Sequence, residues 1–199
     1  MVKEYMDRRK PMILVFAGPN GSGKSTITEE FKRLAPLPGA YVNADIIKQE
    51  RECTDLEAAQ FAELERNEVI DAGKDLTFET VLSTRRNLDL LIRARGKGYF
   101  IKAFYIITAS PEINVARVQD RVFYGGHEVP EDKIISRYHK AIKLIPELIS
   151  VCDVIHIYDN SGEKPERIFK KKRDEIHYYP NEFWNENKIK ALVRNYNMS

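Results

Sequence analysis

The chain has 199 residues, 43% of them hydrophobic and 31% charged, enough to bury a sizeable core without disulfides or metals and far from a disordered composition. Its 32 Lys and Arg nearly cancel its 30 Asp and Glu, and the net charge of +2 excludes a general polyanion-binding surface while leaving room for a local basic site. Its two cysteines, Cys53 and Cys152, argue against a disulfide scaffold or a zinc site, and charge interrupts every apolar stretch well short of a membrane span.

In chain order, residues 1–11 read as a charged N-terminal extension. The apolar run that follows is brief and leads into a glycine-rich turn with no small-residue cleavage site, so a soluble, cytoplasmic chain is expected. That run, Met12–Ala17, reads as a buried strand. A helix opens near Gly23, with Ile27, Phe31 and Leu34 at the spacing of one buried face, and ends at Pro36 and Pro38. Residues 40–43 form a short second strand. Thr54-Asp55-Leu56-Glu57 fits a capping box opening a helix towards Gly73. Leu76–Thr80 is a third strand, and Leu88, Leu91 and Ile92 mark the next helix face. Residues 99–107 are the clearest strand, their nearly continuous apolar second half suiting a parallel strand buried on both faces. Ser110-Pro111-Glu112 combines an N-cap, a proline at N1 and an early acid. A further helix follows Pro130, with Ile134, Tyr138, Ile142 and Ile145 on one side. A fifth strand spans 153–158, and from Gly162 the chain is a basic and aromatic tail with one helix near 185–196. The alternation predicts an α/β fold, a three-layer sandwich with about five parallel strands and helices on both faces. Residues 12–162 read as one domain, including a lid at about 117–140, and 163–199 as an extension packed on it.

Gly18-Pro19-Asn20-Gly21-Ser22-Gly23-Lys24-Ser25 matches the Walker A pattern, with Thr26 behind it. Glycines let the backbone curl so that several N–H groups converge on one anion, and the following helix points its positive end at the same place. Lys24 reaches β- and γ-phosphates, and the Ser25 hydroxyl suits Mg²⁺. The loop follows an apolar strand and opens an amphipathic helix, the context that nucleotide binding requires.

Asn43-Ala44-Asp45 closes the second strand, where open α/β sheets place ligands. Asp45 there suits a general base for an attacking hydroxyl, or else an N-cap for the following turn. Glu79 ends the third strand beside Thr80 and reads as a substrate or Mg²⁺-water contact, or as a plain strand-end acid. Arg117 and Arg121 share a helix face. With Gly125-Gly126-His127, Pro130 and Arg137 they read as an arginine-bearing lid, or as surface ion pairs with Asp120, Glu131 or Asp132. Asn160, in Tyr158-Asp159-Asn160-Ser161, suits either a contact to the nucleotide base or turn chemistry.

This ordered set resembles the zeta toxin family of P-loop kinases over residues 12–161. The resemblance rests on the loop from Gly18 to Thr26, Asn43-Ala44-Asp45, Phe78-Glu79-Thr80, Ser110-Pro111-Glu112, Arg117-Val118, Arg121-Val122, the Gly125 to Pro130 segment, Arg137-Tyr138 and Tyr158 to Ser161. It implies an adenylate-kinase-like P-loop NTPase sheet, ATP with Mg²⁺, and UDP-N-acetylglucosamine as the first candidate acceptor. By the same resemblance Lys24 and Ser25 hold phosphates and metal, Asp45 is the general base, Glu79 and Thr80 meet the substrate, and Arg121 and Arg137 stabilise transferred charge. Arg117 lies beside the nucleotide or serves the same charge. The lid has its own spacing relative to the plasmid-borne toxins, which leaves the pairing of arginines open, as it leaves open a small antitoxin partner.

The expected activity is therefore an ATP-dependent kinase acting on a hydroxyl of a small metabolite. Two alternatives stand beside it: a nucleotide-dependent binding protein without turnover, and a kinase of nucleic-acid ends suggested by Lys170-Lys171-Lys172-Arg173 with Tyr178, Tyr179 and Trp184. Asp174 and Glu175 follow that run at once, so a solvated face is the more economical reading and nucleic acid is not the expected partner.

Overall fold

The computed structural model describes residues 10–126 and 128–194. His127, residues 1–9 of the N-terminal extension and residues 195–199, including Tyr196, lie outside them. Fifteen elements follow in order: β1 Met12–Ala17, α1 Lys24–Leu34, β2 Ala40–Val42, α2 Ala44–Arg51, α3 Asp55–Asp71, β3 Leu76–Thr80, α4 Arg85–Gly96, β4 Phe100–Ile107, α5 Pro111–Phe123, α6 Glu131–Lys143, α7 Ile145–Val151, β5 Val154–Asp159, β6 Glu166–Lys172, β7 Glu175–Tyr178 and α8 Glu186–Leu192.

The sheet has seven strands in the order β2-β3-β1-β4-β5-β6-β7. The first five are parallel, as the buried apolar runs predict. Alternate residues of β1 feed opposite cores. Ile13, Val15 and Ala17 enter the larger one with side chains of α3, α4, α7 and α8. Leu14 and Phe16 enter the smaller one under α1, with Ile27, Phe104 and Ile106. The chain leaves β1 for β2 on one side and reaches β4 on the other, so the P-loop at the end of β1 stands where the strand order reverses. Open α/β sheets bind ligands at that point.

Two further strands come from the tail, which the sequence reading left without strands. β6 continues the sheet antiparallel to β5, and β7 pairs antiparallel to β6 at the edge. The basic run Lys170-Lys171-Lys172-Arg173 is thus strand and turn. Lys171 is buried, donating to the carbonyls of Ile149 (2.9 Å) and Cys152 (2.8 Å), which answers the buried ammonium with fixed dipoles. Three helix readings also change. Leu34 and Ile92 are 84% and 45% exposed, because α1 and α4 bury narrower stripes than their sequences suggest. Ile145 begins α7 and does not continue α6. The capping box at Thr54 and Glu57 is formed as read, with both reciprocal bonds.

Candidate active site

The Walker A loop is held by side chains from distant parts of the chain. Gly18 N–H donates to Thr80 O (3.1 Å). Asn114, wholly buried in the first turn of α5, donates to Asn20 O (2.7 Å), and its Oδ1 accepts from the Thr108 hydroxyl. Asn160 follows β5 and donates to Ser22 O (2.8 Å). Gly23 has φ 91°, and a Cβ there would collide with the Asn160 amide, so this position needs glycine on both counts. The Ser22 hydroxyl is buried without a partner, as expected of a loop built to receive an acceptor-rich group. The loop geometry fits a nucleotide phosphate.

Around the mouth of this loop four elements converge. Glu79, on β3, accepts from the Ser25 hydroxyl (2.9 Å) and from the Tyr41 hydroxyl (2.6 Å). Asn43 donates its amide to Tyr41 (3.1 Å), and its Oδ1 accepts from the Asp45 N–H (2.8 Å). Asn43 is therefore the N-cap of α2, and Asp45 occupies the first turn with an exposed side chain. The alternative reading of Asp45 as a cap is corrected. The cap bond belongs to Asn43, two residues earlier, and the Asp45 side chain is left exposed and free of a capping role.

Lys24 is half-buried and donates to Pro19 O (2.9 Å). Burial pulls its pKa from 10.5 down to about 8; Glu79 and then Asp45 oppose that pull, and Arg121 adds to it. One ammonium thus registers α2, β3 and α5 together. Burial and the bond to Glu79 push the Tyr41 phenol up.

The remaining residues named from sequence fall less centrally. Arg117 and Arg137 are half-buried on α5 and α6 and do not enter the cluster around Lys24. Arg121 lies at the exposed end of α5, with Gly126 packed against its stem. The Thr80 hydroxyl accepts from Leu82 N–H (3.0 Å) and from Asn87 (2.8 Å). That bond helps hold Leu82 at φ 52°, a costly conformation for a buried leucine just past Glu79. The α5–α6 segment has its own small core of Val115, Val118 and Ile134, while Asn114 ties it to the P-loop and Tyr138 to the Thr108 carbonyl. Tyr41 and Asn114 were not singled out from sequence. The polar Asn114 on the inward face of α5, beside Val115 and Val118, was a readable signal; nothing local marked Tyr41.

Ser25 and Glu79 supply a hydroxyl and a carboxylate, the hard oxygen donors that suit Mg²⁺, which commonly draws its other ligands from phosphate and water. Among the described residues no group of three or more His, Cys, Asp or Glu is arranged to hold a metal.

A five-stranded parallel core in the order 2-3-1-4-5, with a braced Walker A loop at its switch point, defines the P-loop kinase fold. The zeta toxin family model matches residues 1–174, and the chain belongs to that family. A chain from the PezAT chromosomal toxin–antitoxin system of Streptococcus pneumoniae has a TM-score of 0.57 at 18% identity, over 85% of this chain and 75% of that one. The AvrRxo1-ORF1:AvrRxo1-ORF2 complex with sulphate ions gives a TM-score of 0.66 at 14% identity, over 94% of this chain and 65% of that one. This chain thus spans just under two thirds of that neighbour, which has also been solved with ATP. A gluconokinase from Sinorhizobium meliloti gives a TM-score of 0.50 at 18% identity, over 78% and 86% of the two chains. An uncharacterized protein of Haemophilus influenzae is 28% identical over 141 residues, 69% of this chain and all of that protein.

Proposed function

We propose that the protein is an ATP-dependent kinase that moves the γ-phosphoryl group to a hydroxyl of a small metabolite, with UDP-N-acetylglucosamine the first acceptor to test. The observation that carries this reading is the hydrogen-bond chain that runs from Ser25 of the P-loop through Glu79 and Tyr41 to Asn43, the cap of the helix turn that bears Asp45. Family membership and the ATP complex of a structural neighbour support it.

The P-loop amides and Lys24 bind the phosphates, and Ser25 would hold a Mg²⁺ ion, which would supply neutralisation of phosphate charge. Glu79 orients the Ser25 side. Asp45 takes the proton of the acceptor hydroxyl as its oxygen bonds to Pγ and the bond from Pγ to the leaving ADP oxygen breaks. Arg121 and Arg137, with Arg117 beside the nucleotide, stabilise the charge on the transferring group. The segment 117–140 closes over the site and excludes water. Thr80 borders the acceptor, and Asn160 positions the loop through Ser22. The tail 163–199 extends the domain's sheet. A small antitoxin is a proposed partner, since one neighbour comes from a toxin–antitoxin system.

Incubation with Mg·ATP and an acceptor panel, followed by mass measurement of ADP and phosphorylated product, tests the reading. Turnover of an acceptor by the wild type is expected; tight ATP binding with no acceptor phosphorylated would favour a nucleotide-dependent binding protein instead.

A further inference from the structure

The two faces of the sheet are covered unequally. On one, Ile155, Ile157, Phe169 and Tyr178 of β5, β6 and β7 join side chains of α7 and α8 in the larger core. On the other, among the described residues, α1 is the one helix that adds side chains to the smaller core, where it meets β1, β4 and Tyr158. Beyond it, β5, β6 and β7 present the side chains that alternate with the buried ones. Strand pairing sets His156 beside Lys170 and Lys170 beside His177. The next row runs from Lys102 on β4 through Val154 and Lys172 to Glu175. Past the register shift, Tyr158 pairs with Arg167, whose guanidinium lies 4.6 Å from the Tyr179 ring centroid.

This face carries surplus positive charge. Lys102, Arg167 and Lys170 are half-buried and Lys172 is exposed, and among the described residues none of the four is paired with a carboxylate. Against them these rows hold one acid, the exposed Glu175. Burial first, then the charges of Lys102, Arg167 and Lys170, pull the His156 imidazole down to about 4, which puts three of the cations around one ring. Four cations against one acid, fixed on strands, complement a polyanion. Lys170 and Lys172 stand two residues apart on β6, about 6.8 Å, close to the step between successive phosphates of an extended nucleic-acid strand. Rings lie among the cations: His156 stacks on Phe104 (5.2 Å, 13°), and the exposed His177 lies 6.3 Å from the half-buried Tyr179. Cations interleaved with accessible rings suit a single strand. An extended peptide would add to the sheet edge and not cross its face. A membrane surface would call for protruding apolar side chains, whereas Phe104 is buried and Val154 half-buried.

We propose that the β4–β7 face, on the α1 side of the sheet, binds single-stranded nucleic acid, with Arg167, Lys170 and Lys172 following phosphates along β6, Lys102 beside them, and His177 and Tyr179 meeting bases. The basic run that reads from sequence as a solvated face is divided by its strand: Lys171 enters the core, and Lys170 and Lys172 face the partner. The P-loop cluster contributes none of these residues.

Fluorescence anisotropy of a labelled dodecathymidylate, titrated with the protein over a range of salt concentrations, tests the assignment. Four phosphate contacts on a single strand give a slope of log K against log salt of about −2.8. Lys172→Gln, an exposed change, should flatten it to about −2.1, and Lys170→Gln combined with Lys172→Gln to about −1.4, with melting temperatures checking that both variants fold. Lys74→Gln, exposed on another part of the surface, should leave the slope unchanged, and Lys24→Ala should bind the strand as the wild type does. An abasic dodecamer should bind about fivefold more weakly or worse, for want of base contacts. No binding at low salt, an unchanged slope in Lys172→Gln, or loss of binding in Lys24→Ala would each overturn the assignment. So would an abasic strand held as tightly as the dodecathymidylate, which would leave only a general polyanion patch. None of these readouts depends on kinase turnover, so the kinase reading stands or falls separately.

Discussion

Asp45 and Lys24 carry opposite duties in the proposed reaction, and their surroundings differ accordingly. Asp45 is exposed in the first turn of α2, reachable by an incoming hydroxyl, with its backbone N–H held by Asn43. Asp45→Asn keeps that cap and removes the base, so turnover should fall by about 10²–10⁴ while ATP affinity changes little, as steady-state rates and a nucleotide titration would show. Lys24 must be charged to meet phosphate. Its pKa of about 8 predicts an alkaline limb in kcat/KM near pH 8 for the free enzyme, well below the 10.5 of an ordinary lysine. The stability sign is opposite: between pH 8 and 10.5 the unfolded chain keeps a proton that the folded chain has shed, so this group makes stability rise with pH there. A pH–rate profile flat to pH 10 would contradict the placement of Lys24.

At the scale of elements, the P-loop is shaped by partners that arrive from β5 and α5. Gly23→Ala should abolish nucleotide binding, because the new Cβ meets Asn160 and the backbone is left-handed there; Asn160→Ala should weaken binding without unfolding the chain, since only the Ser22 contact is lost. Calorimetric titration with ATP separates the two. Thr54→Ala removes one half of a formed capping box and should cost about 1 kcal/mol of stability. These features divide by how far they reach along the chain. The Walker A loop, the Thr54–Glu57 box and the Ser110-Pro111 helix start were legible because each is a local pattern. The exposure of Leu34 and Ile92, the split between α6 and α7, and the role of Tyr41 were not, because neighbouring elements decide them. β6 and β7 escaped notice because a lysine run hides a strand whose alternate residues, Phe169 and Lys171, are buried.

For the whole molecule, the tail is part of the core. Ile168, Phe169, Trp184 and Ile189 are all buried. At roughly 1.5–3 kcal/mol for each large apolar side chain, they rival the total stability of a typical domain, about 5–15 kcal/mol. A chain ending at Gly162 should show no cooperative thermal transition. His156 sets an acid limit on the same sheet. Burial, then Lys102, Arg167 and Lys170, lower its pKa from 6.5 to about 4. Between those values the unfolded chain takes up a proton that the folded one refuses, so stability falls as pH drops through that window. His156→Phe should flatten the dependence of melting temperature on pH there.

The central claim is that the cluster of Lys24, Glu79 and Asp45 is a phosphoryl-transfer site. Its most direct test is product mass from wild type and Asp45→Asn, each incubated with Mg·ATP and a panel of hydroxyl-bearing metabolites headed by UDP-N-acetylglucosamine. The account predicts one acceptor gaining a single phosphoryl group with the wild type, and at least a hundredfold less product with Asp45→Asn, in line with the loss of a general base. Equal turnover by the two proteins, or no acceptor phosphorylated despite bound ATP, would contradict it.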